Sequence, residues 1–401
     1  MQITSLETIR VGEFPNLCFV RVHSDAGLVG LGETFMGAAA VEAYLHETAS
    51  GVLLGADPLR IDRIAAALRP YVGVAGSGAE TRGNSAVDVA LWDLFGQAAG
   101  LPVNQLLGGA TRDEVRIYNT CAGYRYIRER PVQAVANWGL PADGAEGPYE
   151  DLDGFLHRPA ELARDLLAEG VSAMKIWPFD RFAERWGGQY IAPGELAEAL
   201  APFAAIRRAV GDEMDIMVEL HGLWNLPTAK RIVRALAPYA PFWIEDPLRP
   251  PLVTASLQEL ASVSAAPLTL SETLAGRAAF LPLLEQGLLG VAMLDVAWCG
   301  GLSEAKKIAT LAETYQVPVA PHDCTGPVVL TASTHLATNV VNGFIQETVR
   351  AFYHGWYREL VTELPPIEHG YIRPPEGPGL GTALRPEVLE RPDAVVRRSV
   401  L

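Results

Sequence analysis

The chain has 401 residues, 49% of them apolar, and a formal net charge of −15. That length exceeds one small domain and suits a large barrel with a second domain beside it. The acidic balance, with no long basic run, argues against a nucleic-acid or anionic-membrane partner, and an anionic substrate would need a local positive centre.

The start, MQITSLETIRV, lacks a basic stretch followed by an apolar one, so no signal peptide is expected. Residues 3–36 predict a β-meander, with Ser24-Asp25-Ala26-Gly27 as a turn inside LCFVRVHSDAGLVGLGETF. Residues 37–110 predict helices. In SAVDVALWDLFGQAAG, Val87, Ala90, Leu91, Leu94, Phe95 and Ala98 form one stripe, and Gly100 and Pro102 end the helix. From residue 114 the rhythm changes. EVRIYNT, VSAMKIW, DIMVEL, APFWIE, PLTLSE, VAMLDVA, VPVAPH and GFIQET are short apolar runs, most of them separated by stretches that read as helix. Strands buried on both faces and alternating with helices make a parallel sheet, and eight of them predict a (β/α)₈ barrel. Residues 121–160 form a long insertion after the first of these strands, on the side where barrel active sites form. The tail, PPIEHGYIRPPEGPGLG, is not barrel-like and is expected to return to the first domain. The expected division is 1–113, 114–355 and 356–401. No segment has the ~18 unbroken apolar residues of a membrane helix. Cys18, Cys121, Cys299 and Cys324 show no zinc-type pairing, which fits reduced thiols in a cytoplasmic protein.

Seven successive runs end in ionisable residues: Lys175, Glu219, Glu245, Glu272, Asp295, His322 and Glu347. A parallel barrel opens all its strand ends on one face, so these groups share a rim. Glu219, Glu245 and Glu272 are separated by 26 and 27 residues, one β/α unit each. Carboxylates converging on one point repel unless a cation sits among them, and all-oxygen donors favour Mg²⁺, with Mn²⁺ possible, over zinc. The bland alternative is three separate salt bridges. Asp295 and His322 fall on neighbouring strands, where a carboxylate orients an imidazole as a general base; a structural histidine is the alternative. Glu347 faces the metal site and would hydrogen-bond a substrate oxygen if protonated, or form an ordinary salt bridge.

These motifs together resemble the enolase superfamily, in its mandelate racemase-like subgroup, over nearly the whole length. Glu219, Glu245 (in WIEDP) and Glu272 (in LSET) match that family's metal ligands, Asp295 and His322 (in APHDCTG) its Asp–His dyad, and Glu347 (in IQET) the acid of the last barrel strand. The resemblance implies a modified TIM (β/α) barrel, an α/β fold, with an N-terminal α+β capping domain. It implies abstraction of a proton α to a carboxylate, with Lys175 as a second positive charge, in a homo-oligomer, dimer or octamer. Many relatives carry Lys-x-Lys on the second barrel strand. Here Trp177 takes the second position, which weakens a racemase or epimerase reading. Some acid-sugar dehydratases of the family place a histidine where His221 stands, as the acid that protonates a departing hydroxyl. The expected activity is therefore a hydro-lyase that converts a sugar acid to a 2-keto-3-deoxy acid, with an isomerase or cycloisomerase second. Trp177, Trp298, Tyr124, Tyr126 and Phe35 are the expected substrate contacts, with packing of the rim or a solvated loop as the alternative. Trp224, Arg125 and Met36 also lie on the stretches around that rim.

Overall fold

The computed structural model describes residues 1–69, 78–128, 132–140, 147 and 149–401, so part of the insertion at 121–160 lies outside the described residues. The meander forms as expected: β1 (Ile3–Val11), β2 (Phe14–Ser24) and β3 (Val29–Phe35) pair antiparallel. Helix α1 (Ala79–Ala99) lies across this sheet and ends at Gly100, which takes the left-handed conformation at φ 68°. Strand and helix touch backbone to backbone. A Cβ on Gly30 would lie 1.9 Å from the Ala90 carbonyl oxygen, and one on Gly32 would lie 1.9 Å from that of Ala86.

The stripe read for α1 is too narrow. Ala98 is exposed and Phe95 only partly covered, whereas Asp88, Val89 and Asp93 are buried with the others. The reason is a second neighbour, barrel helix α4 described below. Its Ser303 donates a backbone N–H to Asp88 (2.9 Å) and accepts from Trp92 Nε1 (2.8 Å).

The eight apolar runs become β4 (Val115–Thr120), β5 (Ala173–Ile176), β6 (Asp215–Glu219), β7 (Trp243–Glu245), β8 (Leu268–Leu270), β9 (Val291–Leu294), β10 (Val319–Pro321) and β11 (Gln346–Thr348). β4 to β10 pair in parallel and in order, and β11 pairs with β4. β10 meets the segment before β11 through a bridge between Val319 and Gly343, with Phe344 N–H donating to the Val319 carbonyl (3.0 Å), which brings the curled sheet round on itself. Helices α2 (Asp180–Trp186) and α3 (Pro193–Val210) follow β5, α4 (Gly301–Thr314) follows β9, and α5 (Pro327–Asn339) follows β10. Tyr118, Ala173, Met217, Trp243, Val291, Met293, Ala320 and Ile345 fill the barrel interior; Tyr118 meets Trp243 edge to face at 5.2 Å.

The tail does return. β12 (Ile367–Glu368) and β13 (Tyr371–Ile372) form a hairpin beside β4, and β14 (Ala394–Val400) pairs antiparallel with β1. Between them Asp93 of α1 accepts the backbone N–H of Leu31 and of Leu380, each at 2.8 Å, clamping strand β3 and the tail to one helix. Among the described residues no helix is long and apolar enough to cross a membrane.

Candidate active site

Every acid and base singled out at a strand end stands at the same end of the barrel. Lys175 is next to last in β5. Glu219 and Glu245 are the last residues of β6 and β7, and Glu272 lies two residues past β8. Asp295 and His322 directly follow β9 and β10, and Glu347 is the middle residue of β11. Lys175, Glu272, His322 and Glu347 line a cavity of about 220 Å³, and Glu219, Glu245 and Asp295 stand behind them.

Glu219, Glu245 and Glu272 each present a carboxylate oxygen within 4.8 Å of the other two. Glu219 Oε2 is buried with no hydrogen-bond partner among the described residues. Burial and the nearby Glu219 push the Glu245 carboxyl well above the usual carboxylate range. Both observations describe crowded negative charge that a cation relieves, and the donor set, all carboxylate oxygen, suits a hard divalent ion. Trp243, from the barrel interior, orients Glu245 by donating Nε1–H to its Oε2 at 3.0 Å.

Lys175 is buried, with Nζ 2.6 Å from Glu245, 2.8 Å from Glu347 and 3.6 Å from Glu219. Burial opposes its charge, but Glu245 and Glu347 outweigh that and hold the ammonium well above its ordinary pKa. For Glu347 burial works upward and loses to Lys175 and His322, so its carboxyl lies well below the usual range. Of the two alternatives for Glu347, the contacts are those of a salt bridge: it accepts from Lys175, the Thr120 hydroxyl and the Asp323 N–H.

His322 Nδ1 lies 2.6 Å from Asp295 Oδ2, while Asp295 Oδ1 accepts the Ala297 N–H at 2.7 Å. Its other nitrogen, Nε2, points to Glu272 (3.1 Å) and Glu347 (3.8 Å). Burial resists the imidazolium, and Glu272, Glu347 and Asp295 overcome it, raising the pKa well above the ordinary value. His221, two residues after Glu219, has a backbone φ of 47° and sends Nδ1 to Asp180 at 2.7 Å. There too burial opposes the charge, and Asp180 and Glu219 prevail, lifting the pKa to about 10.

Trp177, Trp298, Tyr126, Phe35 and Met36 line the cavity. Trp177 packs on Tyr126, Phe155 and His221 (ring centroids 5.0, 5.1 and 5.9 Å), filling the place of the second lysine with an aromatic wall. Tyr124 is not among the lining residues. It lies under the Arg128 guanidinium at 4.6 Å, and its backbone N–H is taken by Glu150. Arg125 does not line the cavity either, and Trp224 is wholly buried away from it.

The structure adds residues that strand-end reasoning passed over. Arg82, from α1 of the first domain, reaches the cavity over Trp298 (4.7 Å) and donates Nη1–H to the Phe35 and Met36 carbonyls (3.2 and 3.1 Å). Gln133, from the insertion, and Thr120, at the end of β4, also line the cavity.

Residues 5–108 match the family model described as the mandelate racemase/muconate lactonizing enzyme N-terminal domain, and residues 158–388 match the one described as enolase C-terminal domain-like. The chain is 32% identical to a D-galactonate dehydratase of Ralstonia nicotianae, across 95% of this chain and 91% of that one. It is 30% identical to a D-xylonate dehydratase of Haloferax volcanii, across 97% and 88%. Among solved structures, an enolase of the mandelate racemase subgroup from Agrobacterium tumefaciens superposes with a TM-score of 0.88 at 50% identity, covering 100% of this chain and 99% of that one.

Proposed function

The chain belongs to the mandelate racemase/muconate lactonizing enzyme family of the enolase superfamily, and we propose that it is a divalent-metal-dependent dehydratase of sugar acids. The observation that carries this reading is one cavity lined by Glu272, on which Glu219 and Glu245 converge, by a carboxylate-backed His322 and, on a different strand, by a carboxylate-backed His221. Its relatives named as dehydratases act on D-galactonate and D-xylonate.

Glu219, Glu245 and Glu272 would hold Mg²⁺ or Mn²⁺. When bound, the cation supplies positive charge for the substrate carboxylate and for the negative charge that grows on it as the α-proton leaves. The protein's groups do the rest. His322, held at Nδ1 by Asp295, takes the α-proton at Nε2 in its neutral form, which a cation held by Glu272 would favour by offsetting the carboxylate charge that otherwise raises the imidazole's pKa. Lys175 adds a fixed positive charge inside a buried site, where it acts more strongly than in water. Glu347, ionised, accepts a hydrogen bond from a substrate hydroxyl. His221 gives its Nε2 proton to the β-hydroxyl, which leaves as water, and the resulting enol tautomerises to the 2-keto-3-deoxy acid. Trp177, Trp298, Tyr126 and Phe35 wall the sugar chain, and Arg82 supplies a cation from the first domain. The free cysteines support a cytoplasmic setting. Exposed Val395, Val396 and Val400 on β14, the outer strand of its sheet, support a homo-oligomer.

The test is a panel of sugar acids incubated with the protein and Mg²⁺, read by mass spectrometry. The reading expects a product lighter by one water from at least one acid. Exchange of the α-hydrogen with solvent, without loss of water from any acid, would move the assignment to an isomerase.

A further inference from the structure

His322 and His221 share a plan. Asp295 follows β9, the strand before the one that carries His322, and takes its Nδ1 at 2.6 Å; Trp298 stands beside the ring at 5.4 Å. Asp180 follows β5, the strand before the one that carries His221, and lies 2.7 Å from its Nδ1; Trp177 stands beside the ring at 5.9 Å. β6 and β10 are four strands apart in the eight-strand ring, so the two imidazoles enter the cavity from opposite walls.

We infer that Asp180 is the positioning residue of the second imidazole: it takes the Nδ1–H of His221 and so presents Nε2 to the cavity. This rests on the reading of His221 as the group that protonates the leaving hydroxyl. Asp180 is itself held in place. Its side chain is 3% exposed, and the oxygen that faces His221 also accepts the side-chain N–H of Gln133 at 3.0 Å. Gln133 Oε1 in turn accepts the Tyr126 hydroxyl at 3.0 Å. The insertion between β4 and β5 therefore reaches the chemistry through Tyr126 and Gln133. The backbone of His221 is equally constrained. Its left-handed φ of 47° is costly for a non-glycine residue. It persists because the His221 N–H is bound by Glu219 at 2.5 Å and the Gly222 N–H by the Asp246 carbonyl at 2.7 Å. Main chain and side chain are thus fixed separately, and both aim one ring nitrogen.

The Nε2 proton goes to the β-oxygen, the carbon–oxygen bond breaks with its electron pair on oxygen, and water leaves. The electrons of the enediolate form the carbon–carbon double bond. The imidazole that remains is neutral with its proton on Nδ1, the tautomer that Asp180 binds. Without the carboxylate, the ring is free to turn or to carry its proton on the other nitrogen. Water loss then fails while removal of the α-proton by His322 continues.

The experiment uses Asp180→Asn and, as a milder change that keeps the carboxylate, Gln133→Ala. Each is assayed in D₂O with Mg²⁺ and a sugar acid that the unaltered protein dehydrates. Asp180→Asn is expected to slow water loss by about 100-fold or more, within the range general-acid catalysis supplies, while α-deuterium appears in recovered substrate. A β-fluoro analogue, whose fluoride leaves without a proton, should restore most of the elimination rate. Gln133→Ala should shift the same ratio of exchange to elimination by a smaller factor. A readout independent of turnover is two-bond ¹H–¹⁵N NMR of His221, expected to show the Nδ1–H form or the imidazolium in the unaltered protein and a gain of the Nε2–H tautomer in Asp180→Asn. Equal loss of exchange and elimination in both variants, or no change in either, overturns the inference. If the unaltered protein neither exchanges nor dehydrates any acid, the functional reading fails, and the NMR tautomer alone decides the role of Asp180.

Discussion

His335 offers a test that joins the fold to pH. It lies on α5, fully buried, where Nδ1 accepts the Asn104 backbone N–H at 3.3 Å and Nε2 donates to the Leu380 carbonyl at 3.1 Å. It therefore ties the barrel to the segment that leaves the first domain and to the returning tail. Both contacts require the neutral Nε2–H tautomer, because a proton on Nδ1 would face the Asn104 N–H. Burial drives the pKa down from 6.5 to about 4, against the opposing pull of the Leu380 carbonyl. The unfolded chain binds this proton first, so the contribution to stability is complete above pH 6.5 and is lost as the pH falls toward 4. The full gap corresponds to ~3 kcal/mol, of which about 2 kcal/mol is lost between pH 7 and pH 5. The perturbation is His335→Gln, which removes the titration while the other groups cancel in the comparison. Urea unfolding at pH 7 should find the variant less stable by about 1–3 kcal/mol, the cost of an unmet buried polar group. At pH 5 the difference between the two proteins should have narrowed by about 2 kcal/mol. A difference that stays constant or widens as the pH falls would refute the assignment of a neutral, doubly bonded imidazole.

Lys175→Met should leave Glu245 and Glu347 buried without their counter-charge, lowering the stability of the metal-free protein by about 3–5 kcal/mol in denaturant titration. Mg²⁺ or Mn²⁺ should raise the thermal midpoint of the unaltered protein, reversibly with chelator, by an amount equal to ~2.7 kcal/mol at a 100-fold excess over Kd. Glu219→Gln or Glu272→Gln should abolish most of that shift. Gly32→Ala would drive a Cβ into the Ala86 carbonyl and should cost about 1–3 kcal/mol or more, read as a fall in the urea midpoint.

Much of this architecture could be read before any coordinates because two signals agree. Strands as short as Leu268–Leu270 and Val319–Pro321 still stood out, since burial on both faces makes them apolar throughout and helices separate them. The acids at their ends recur with the β/α period, so Glu219, Glu245 and Glu272 could be placed on one rim from spacing alone. Position relative to strands of one sheet is a local property. Contacts from elsewhere are not. Arg82 stands four residues into a helix of the first domain, and only the docking of that domain on the barrel brings it over Trp298. Asp180 opens a short helix five residues after Lys175, where an acid is unremarkable until His221 is seen to meet it. Tyr124 and Tyr126 are neighbours in sequence, yet one turns to Arg128 and the other to the cavity, a choice made by the insertion's packing rather than by composition. The pairing of Glu347 depends likewise on the Lys175 side chain, which reaches past β4 from two strands away.

The central step is the removal of an α-proton by His322 beside a carboxylate-held cation. The direct measurement is NMR of a sugar acid incubated in D₂O, following loss of the α-hydrogen into exchanged substrate or product. The account predicts loss that needs both the protein and Mg²⁺, and that falls by about 100-fold or more in His322→Asn. Retention of the α-hydrogen in every acid tried, or loss that persists at full rate in His322→Asn, would contradict it.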